Sequence, residues 1–403
     1  MKIKTEHFIF DTKKSILSFD NLQSVSQFNY DYFTTFQKVV FKKVTSPKKT
    51  IYWLSLIPTL ECHGDCPYCY NRSYKKIYNR LTTEKIQSYL DTLKNYDFSQ
   101  VRFIRTYGGE PFLHEDLYSL YKFLLTKMPK IKNIYISSGL LFEESIFEHA
   151  LEQLKQLQTL GVNIVVGVSM DFGVPDQDFT RVSKQAGLYS RDQLFERVKR
   201  ITEIGIEVVF PTIISNKVDP ELLKEHIRKY ASEYKFRMEI ANDNVYYPRK
   251  EQLVKIFKFL KDLLDEQDFY VFANTDILNI PKIFKINEQN FLFLFPESFC
   301  GTYYNMVSFN PLGVTPCHMI PYTFDLKPSK RFFELHNDQK CKRCDFFPVC
   351  RGLCVNRRSY SEEANKSYCM WSKLSFILSI YKISKVYKNK LKEYLNSKIA
   401  GEL

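Results

Sequence analysis

From Ile51 onward, apolar runs of strand length alternate with longer segments whose apolar residues recur at helical spacing. The pairs begin with IYWLSLIPT (51–59) and LTTEKIQSYLDTLKNY (81–96), then VRFIRT (101–106) and HEDLYSLYKFLLTKM (114–128). NIYISSG (133–139) precedes FEESIFEHALEQLKQLQTL (142–160), and NIVVGVSM (163–170) precedes RDQLFERVKRITEI (191–204). The last two are IEVVFPTIIS (206–215) with DPELLKEHIRKYASEY (219–234), and FRMEIAN (236–242) with RKEQLVKIFKFLKDLLDE (249–266). Parallel strands need a crossover connection, so this alternation predicts βαβ units around a parallel sheet. Six units predict an α/β fold, a partial (β/α)6 TIM-like barrel over residues 51–268, with its chemistry at the C-terminal ends of the strands.

Outside that span the pattern changes. Residues 1–50 form an N-terminal leader segment, with strand-like HFIF and SILSF around the turn DTKK and a basic end, FKKVTSPKKT. Residues 269–295 read as a linking region. Residues 296–370 are loop-rich, with one hairpin predicted in MVSFNPLGVTPCHM, turning at Asn310–Gly313. Residues 371–403 read as a basic amphipathic helix, expected to pack its apolar face on the domain rather than on a membrane or partner. No apolar run approaches the ~18 residues a membrane span needs, and the N-terminus lacks a signal-peptide core. A cytoplasmic protein is expected.

Composition and charge add little. The chain is 44% hydrophobic and 26% charged, which excludes a disordered or fibrous protein. Its net charge of +13 is spread without a dense basic run, so no nucleic-acid partner is read from it.

The ten cysteines add much more. Three fall at Cys62, Cys66 and Cys69, seven at Cys300, Cys317, Cys341, Cys344, Cys350, Cys354 and Cys369, and none lies between the two groups. A reducing compartment rarely keeps disulfides, so the clustering points to metal at two places. Three thiolates on one tight loop can hold three irons of a [4Fe–4S] cluster and leave the fourth open. The alternative is a structural zinc site, which wants four ligands; His63, next to Cys62, is poorly placed to supply one. In the second group, paired spacing is common to zinc ribbons and iron–sulfur sites, but seven ligands fit neither one zinc nor two four-ligand sites.

The motif Cys62-x3-Cys66-x2-Cys69, with Tyr68 before the third cysteine, resembles that of the radical S-adenosylmethionine (radical SAM) enzymes. Further features at strand ends resemble the same family: Gly108-Gly109-Glu110-Pro111, Ser137-Ser138-Gly139, and Ser169-Met170-Asp171 with Arg181 downstream. The resemblance implies that Cys62, Cys66 and Cys69 ligate a cluster whose open iron takes S-adenosylmethionine. It implies that Gly108, Gly109, Glu110 and Pro111 hold the cofactor's amino group, and that Ser169 reaches its ribose. Arg181 would pair its carboxylate, Tyr68 would lie near the adenine, Ser138 would help bind the cofactor, and Asp171 is a candidate catalytic residue. Two glycines let backbone approach a ligand closely, and a carboxylate accepts from an ammonium group.

The series from Cys300 to Cys369 looks like a SPASM domain, an extension of radical enzymes that modify peptides and proteins. That resemblance implies two auxiliary [4Fe–4S] clusters, Cys300, Cys317 and Cys354 at the first and Cys341, Cys344, Cys350 and Cys369 at the second. The fold expected is thus a radical SAM barrel, a loop-rich, cluster-stapled SPASM extension and a C-terminal helix. The chain departs from the pattern at Leu312, where the family places Gly; Gly313 follows. Sulfatase maturases carry an acidic residue after the cysteine matching Cys317, where this chain has His318, a candidate base. Every cysteine is assigned to a cluster, leaving no free thiol for the hydrogen return that epimerases use. The expected activity is therefore an oxidative modification, a cross-link, of a ribosomally synthesised peptide, with an electron donor such as flavodoxin or ferredoxin. Sulfatase-maturase-like modification and a non-catalytic zinc or iron–sulfur binding protein are the alternatives. The first fifty residues look too short for a winged-helix leader-binding domain.

Overall fold

The computed structural model describes residues 2–4, 8–11, 16–19, 49–69, 71, 79–175, 190–230, 233–241, 245–266, 272–273, 306–319, 341, 343, 361–375 and 378. Near the N-terminus, β1 (Lys2–Lys4), β2 (Phe8–Asp11) and β3 (Ile16–Phe19) form an antiparallel meander that includes the expected hairpin around DTKK. A short parallel pair, β4 (Lys49–Thr50) with β6 (Tyr96–Asp97), forms a separate two-stranded sheet.

The main sheet takes its strands in chain order. They are β5 (Trp53–Leu56), β7 (Phe103–Thr106), β8 (Asn133–Ser138), β9 (Asn163–Val168), β10 (Glu207–Ile214) and β11 (Lys235–Ile240), with the two-residue β12 (Phe272–Ala273) beyond. On the other side, β13 (Met306–Asn310) pairs with β5, and β14 (Gly313–Thr315) folds back on it. The order is β12–β11–β10–β9–β8–β7–β5–β13–β14, and every pair is parallel except β13–β14. Six consecutive strands, each followed by a helix, make the expected partial barrel. The predicted hairpin turns where expected, with Gly313 at φ 153°.

Helices α1 (Thr83–Thr92), α2 (Leu117–Lys127), α3 (Glu144–Gln158), α4 (Arg191–Glu203), α5 (Pro220–Tyr230) and α6 (Lys250–Glu266) follow the six barrel strands. Their starts are chemically marked. Thr82 and Asp116 accept from backbone N–H groups of the first turn, and Ser190 forms a capping box with Gln193. The helices cover one face of the sheet, where Leu54, Leu56, Ile104, Ile134, Ile136, Val166 and Phe210 lie buried in the core. Thr106 on that face hydrogen-bonds Tyr121 of α2, and Phe210 meets Phe195 of α4 at 5.5 Å between ring centroids. Because side chains alternate along a strand, Trp53, Ser55, Arg105, Tyr107, Tyr135 and Arg237 point the other way, into the lumen of the partial barrel.

A helical segment spans residues 362–375 and begins ahead of the boundary at 371 read from sequence, so Cys369 lies on it. Its apolar face is packed as expected: Tyr368 and Trp371 join the barrel core, and the Ser367 hydroxyl donates to the Pro248 carbonyl at 2.8 Å. Among the described residues no helix is long and apolar enough to cross a membrane.

Candidate active site

The first cysteine loop leaves the C-terminal end of β5 and is pinned at its base. Thr59 bridges Arg80, and the Leu81 N–H donates to the Pro58 carbonyl at 2.7 Å. The Arg80 side chain also pairs with Glu61 and Glu115. The segment after β7 then runs alongside: Gly109 N–H donates to Thr59 at 3.0 Å, and Glu110 N–H donates to Glu61 at 2.7 Å. A Cβ on Gly109 would lie 2.0 Å from the Glu61 carbonyl oxygen, and one on Gly108, at φ 127°, would lie 2.6 Å from Ile57 Cγ2. The two glycines therefore let one backbone lie against another, a use the sequence reading had given to a ligand. Past Cys69, the buried Asn71 amide donates to the Gly108 carbonyl at 2.7 Å. One strand end thus holds the loop on both sides of its cysteines.

Cys62, Cys66 and Cys69 are partly exposed. The Gly64 N–H donates to Cys62 Sγ at 3.3 Å, and a point one bond from Gly64 Cα lies 3.5 Å from Cys62 Sγ and 3.8 Å from Cys66 Sγ. Among the described residues no three Cys, His, Asp or Glu side chains converge on a single ion. A closed zinc site needs its ligands about 2.0–2.3 Å from one point. A cluster gives each thiolate its own iron, and a donor set of three thiols on one loop fits that chemistry.

Beside the loop, Glu110 is 4% exposed and caps the short 3-10 helix Pro111–Leu113. Its carboxylate accepts from the N–H groups of Gly139 at 2.9 Å and Phe112 at 3.4 Å. Burial pushes its carboxyl up to about 7, against hydrogen bonds from Ser138 and the neighbouring backbone that favour the charge. The Ser138 hydroxyl also accepts from Leu140 N–H, a residue at φ 52°. Ser169 is half-buried and its N–H donates to the Ser138 carbonyl at 2.8 Å, so the ends of β8 and β9 meet there. Tyr68 donates its hydroxyl to the buried Asp171 carboxylate and meets Tyr246 edge-on at 6.2 Å. Arg181 lies outside the described residues. A residue sequence reasoning missed, the buried Arg191, donates to the carbonyls of Val174 at 2.9 Å and Asp171 at 3.5 Å.

The lumen was also missed. Arg105 lies over the rings of Trp53 at 5.0 Å and Phe103 at 5.5 Å, with the Tyr107 hydroxyl 3.5 Å from its guanidinium. Arg237 pairs with Glu239 at 2.6 Å and lies 5.9 Å from the Tyr135 ring. Tyr135 fits only because Gly167, diagonal to it on the neighbouring strand β9, has no side chain: a Cβ there would lie 1.9 Å from the Tyr135 hydroxyl. Burial raises the Tyr135 phenol well above its ordinary value. The signal available in the sequence was the run of polar residues at alternate positions in strands that a helix-covered parallel sheet would otherwise make apolar.

The second cysteine region enters through β13 and β14. Cys317 is buried against Trp53 and Met306, and its sulfur accepts from Met319 N–H at 3.4 Å. His318 stacks on Tyr107, with centroids 4.0 Å apart and planes at 13°. Tyr107 immediately precedes Gly108, so the hairpin rests on the same strand end that holds the first cysteine loop. Cys341 and Cys369 are partly exposed, while Cys300, Cys344, Cys350 and Cys354 lie outside the described residues.

Residues 56–230 match the family model of the Radical SAM superfamily. The structure of anSMEcpe with bound AdoMet aligns with a TM-score of 0.59 at 17% identity, covering 84% of this chain and 99% of that one. Streptococcus suis SuiB bound to precursor peptide SuiA aligns with a TM-score of 0.54 at 14% identity, covering 86% of this chain and 80% of that one. No curated protein sequence matches the chain. At these identities the likeness to the two structures is one of fold.

Proposed function

We propose that this chain, whose residues 56–230 are a radical SAM domain, is a radical SAM/SPASM maturase that oxidatively modifies a ribosomally synthesised peptide, forming a cross-link. The observation that carries the reading is the single strand end at Tyr107–Glu110. It holds the Cys62–Cys69 loop on one side and receives the Cys317–His318 hairpin on the other, above a polar lumen. Peptide as substrate is supported by the shared fold with SuiB, which is bound to its precursor peptide.

Cys62, Cys66 and Cys69 would hold a [4Fe–4S] cluster; Cys300, Cys317 and Cys354 the first auxiliary cluster; and Cys341, Cys344, Cys350 and Cys369 the second. When bound, these groups supply reductive cleavage of S-adenosylmethionine to a 5′-deoxyadenosyl radical and an acceptor for the electron an oxidation releases, with flavodoxin or ferredoxin as donor. The chain's own part is positional. Glu110, when ionised, would accept from the cofactor's ammonium group, Ser169, two strand ends along after β9, would reach its ribose, and Arg181 would take its carboxylate. Asp171 holds Tyr68 at the edge of the cysteine loop. His318, stacked flat on Tyr107 and next to Cys317, is the candidate base.

The test is iron, sulfide and zinc content of anaerobically reconstituted protein, together with 5′-deoxyadenosine formation. About twelve irons per chain is the expected result. C62A should abolish 5′-deoxyadenosine formation, and C317A should lower iron to about eight per chain. About four irons with one or two zincs would turn the C-terminal region into a structural zinc module and remove the oxidative reading with it.

A further inference from the structure

Loops run over the surface because buried backbone polar groups need partners, yet Asp171, Phe172, Gly173 and Val174 after β9 are all buried. Helices α4 and α5 supply those partners. Arg191, the first residue of α4, donates to the Val174 carbonyl at 2.9 Å and the Asp171 carbonyl at 3.5 Å, with its guanidinium 5.9 Å from the Phe172 ring. On α5, His226 Nδ1 accepts from the Gly173 N–H at 3.1 Å, and the Asp219 N–H just ahead of that helix donates to the Gly173 carbonyl at 2.7 Å. Gly173 lies at φ 77°, where a Cβ would come within 2.7 Å of Leu223 Cβ. Two helices thus grip a four-residue turn.

That turn reaches the cysteine loop. The Asp171 carboxylate accepts from the Tyr68 hydroxyl, and Tyr68 adjoins Cys69 on the loop that leaves β5. β7 and β8 lie between β5 and β9, so the two strand ends are about 14 Å apart along the sheet, and a direct hydrogen bond between them crosses the mouth of the partial barrel. We propose that Arg191 is a positioning residue: by fixing residues 171–174 it presents Asp171 to Tyr68, and that bond holds the Cys62–Cys69 loop across the barrel mouth even without a cluster. The inference deepens the reading of this loop as the cofactor site of a radical SAM enzyme and rests on that reading for its purpose. The anchors already described, Gly109 and Glu110 against Thr59 and Glu61, and Asn71 against Gly108, act on the β5–β7 side. Asp171 adds a tie on the far side, so play in Tyr68 becomes play in a cluster ligand. The planar fork of an arginine serves two carbonyls at once, which a lysine ammonium does less well.

The test is alkylation of Cys69 by iodoacetamide in the cluster-free, full-length protein, read by mass spectrometry with Cys341 as the internal control. Y68F and D171A should each raise the Cys69 rate about five-fold and leave Cys341 unchanged. D171N, which loses the charge but keeps an acceptor oxygen, should stay near the parent. R191Q should match Y68F, and R191K should fall between R191Q and the parent. Added to Y68F, R191Q should change nothing further, because both act on one bond. An unchanged Cys69 rate in Y68F, a rise in D171N equal to that in D171A, a joint rise of Cys69 and Cys341, or full additivity of R191Q with Y68F overturns the proposal. In the reconstituted enzyme the same series should weaken S-adenosylmethionine binding in calorimetry in the same order; equal binding by every variant overturns the positioning role. Alkylation that follows the series in a parent unable to bind S-adenosylmethionine supports the tie and removes the radical reading instead.

Discussion

Glu110 shows how much of a site's chemistry is set by what surrounds one side chain. Its carboxyl is held near 7 by burial, whereas in the unfolded chain it titrates near 4.5. Between those values the folded protein holds a proton that the unfolded chain has released. Stability from this group is therefore fullest below about pH 4.5, declines as pH rises to about 7, and is flat above. Glu110→Gln removes the titration and should make the cluster-free protein more stable than the parent at pH 8 by about 3 kcal/mol, with little difference at pH 5. Urea midpoints across that range measure it, and equal midpoints at both ends would show that the buried carboxyl is not strained. In the reconstituted enzyme, S-adenosylmethionine binding should tighten as pH rises through 7 in the parent, since an ammonium group needs the ionised carboxylate. It should be weak and flat in Glu110→Gln. The motif around Glu110 was legible as a string of residue types. The backbone packed over Gly109 and the polarity of the lumen were not, because each depends on which chain segment lies opposite.

The six strand–helix units could be read because period and length changed together along the chain, and their caps at Thr82, Asp116 and Ser190 sit where side-chain oxygens could be seen in advance. The partner of β13 could not. MVSFN is buried at every position, and nothing local tells a fully buried strand that it will pair in parallel with β5, far back in the chain. The start of the last helix at 362 was hidden for a related reason: the cysteines around it dominated the reading and its polar first turn offered no apolar stripe. The coupling between elements is testable at Gly109. Gly109→Ala places a Cβ against the Glu61 carbonyl and must push the entry to the cysteine loop off the strand end. The expected cost is about 1–3 kcal/mol of stability and the loss of about four irons from reconstituted protein. Gly161→Ala is the control: at φ 68° with nothing within 4 Å, it should cost about 1 kcal/mol and leave iron unchanged. Equal effects at the two positions would show that the clasp on the loop is not what Gly109 provides.

At the scale of the molecule, the question is whether the two cysteine regions belong to one folding unit. The packing of helix 362–375 ties Cys369, the last cysteine of the second group, to the barrel core. Trp371 is 1% exposed and lies in the same core cluster as the barrel strands, two residues from Cys369. A cluster ligand placed there is held by the barrel rather than by a separate module, and loading the cluster then stabilises the barrel, since whatever binds only the folded state shifts the equilibrium toward it. Trp371→Ala leaves a large void in that core and should lower the unfolding free energy by about 3–5 kcal/mol. The chain has two tryptophans, so in this variant all tryptophan fluorescence comes from Trp53 on β5 and reports the barrel itself. If the regions fold as one, the Trp53 transition in urea moves to lower concentration along with the far-ultraviolet signal, and the reconstituted variant gives up iron to a chelator faster than the parent. If the helix were an independent appendage, the Trp53 transition would stay where it is while only a part of the helical signal shifted.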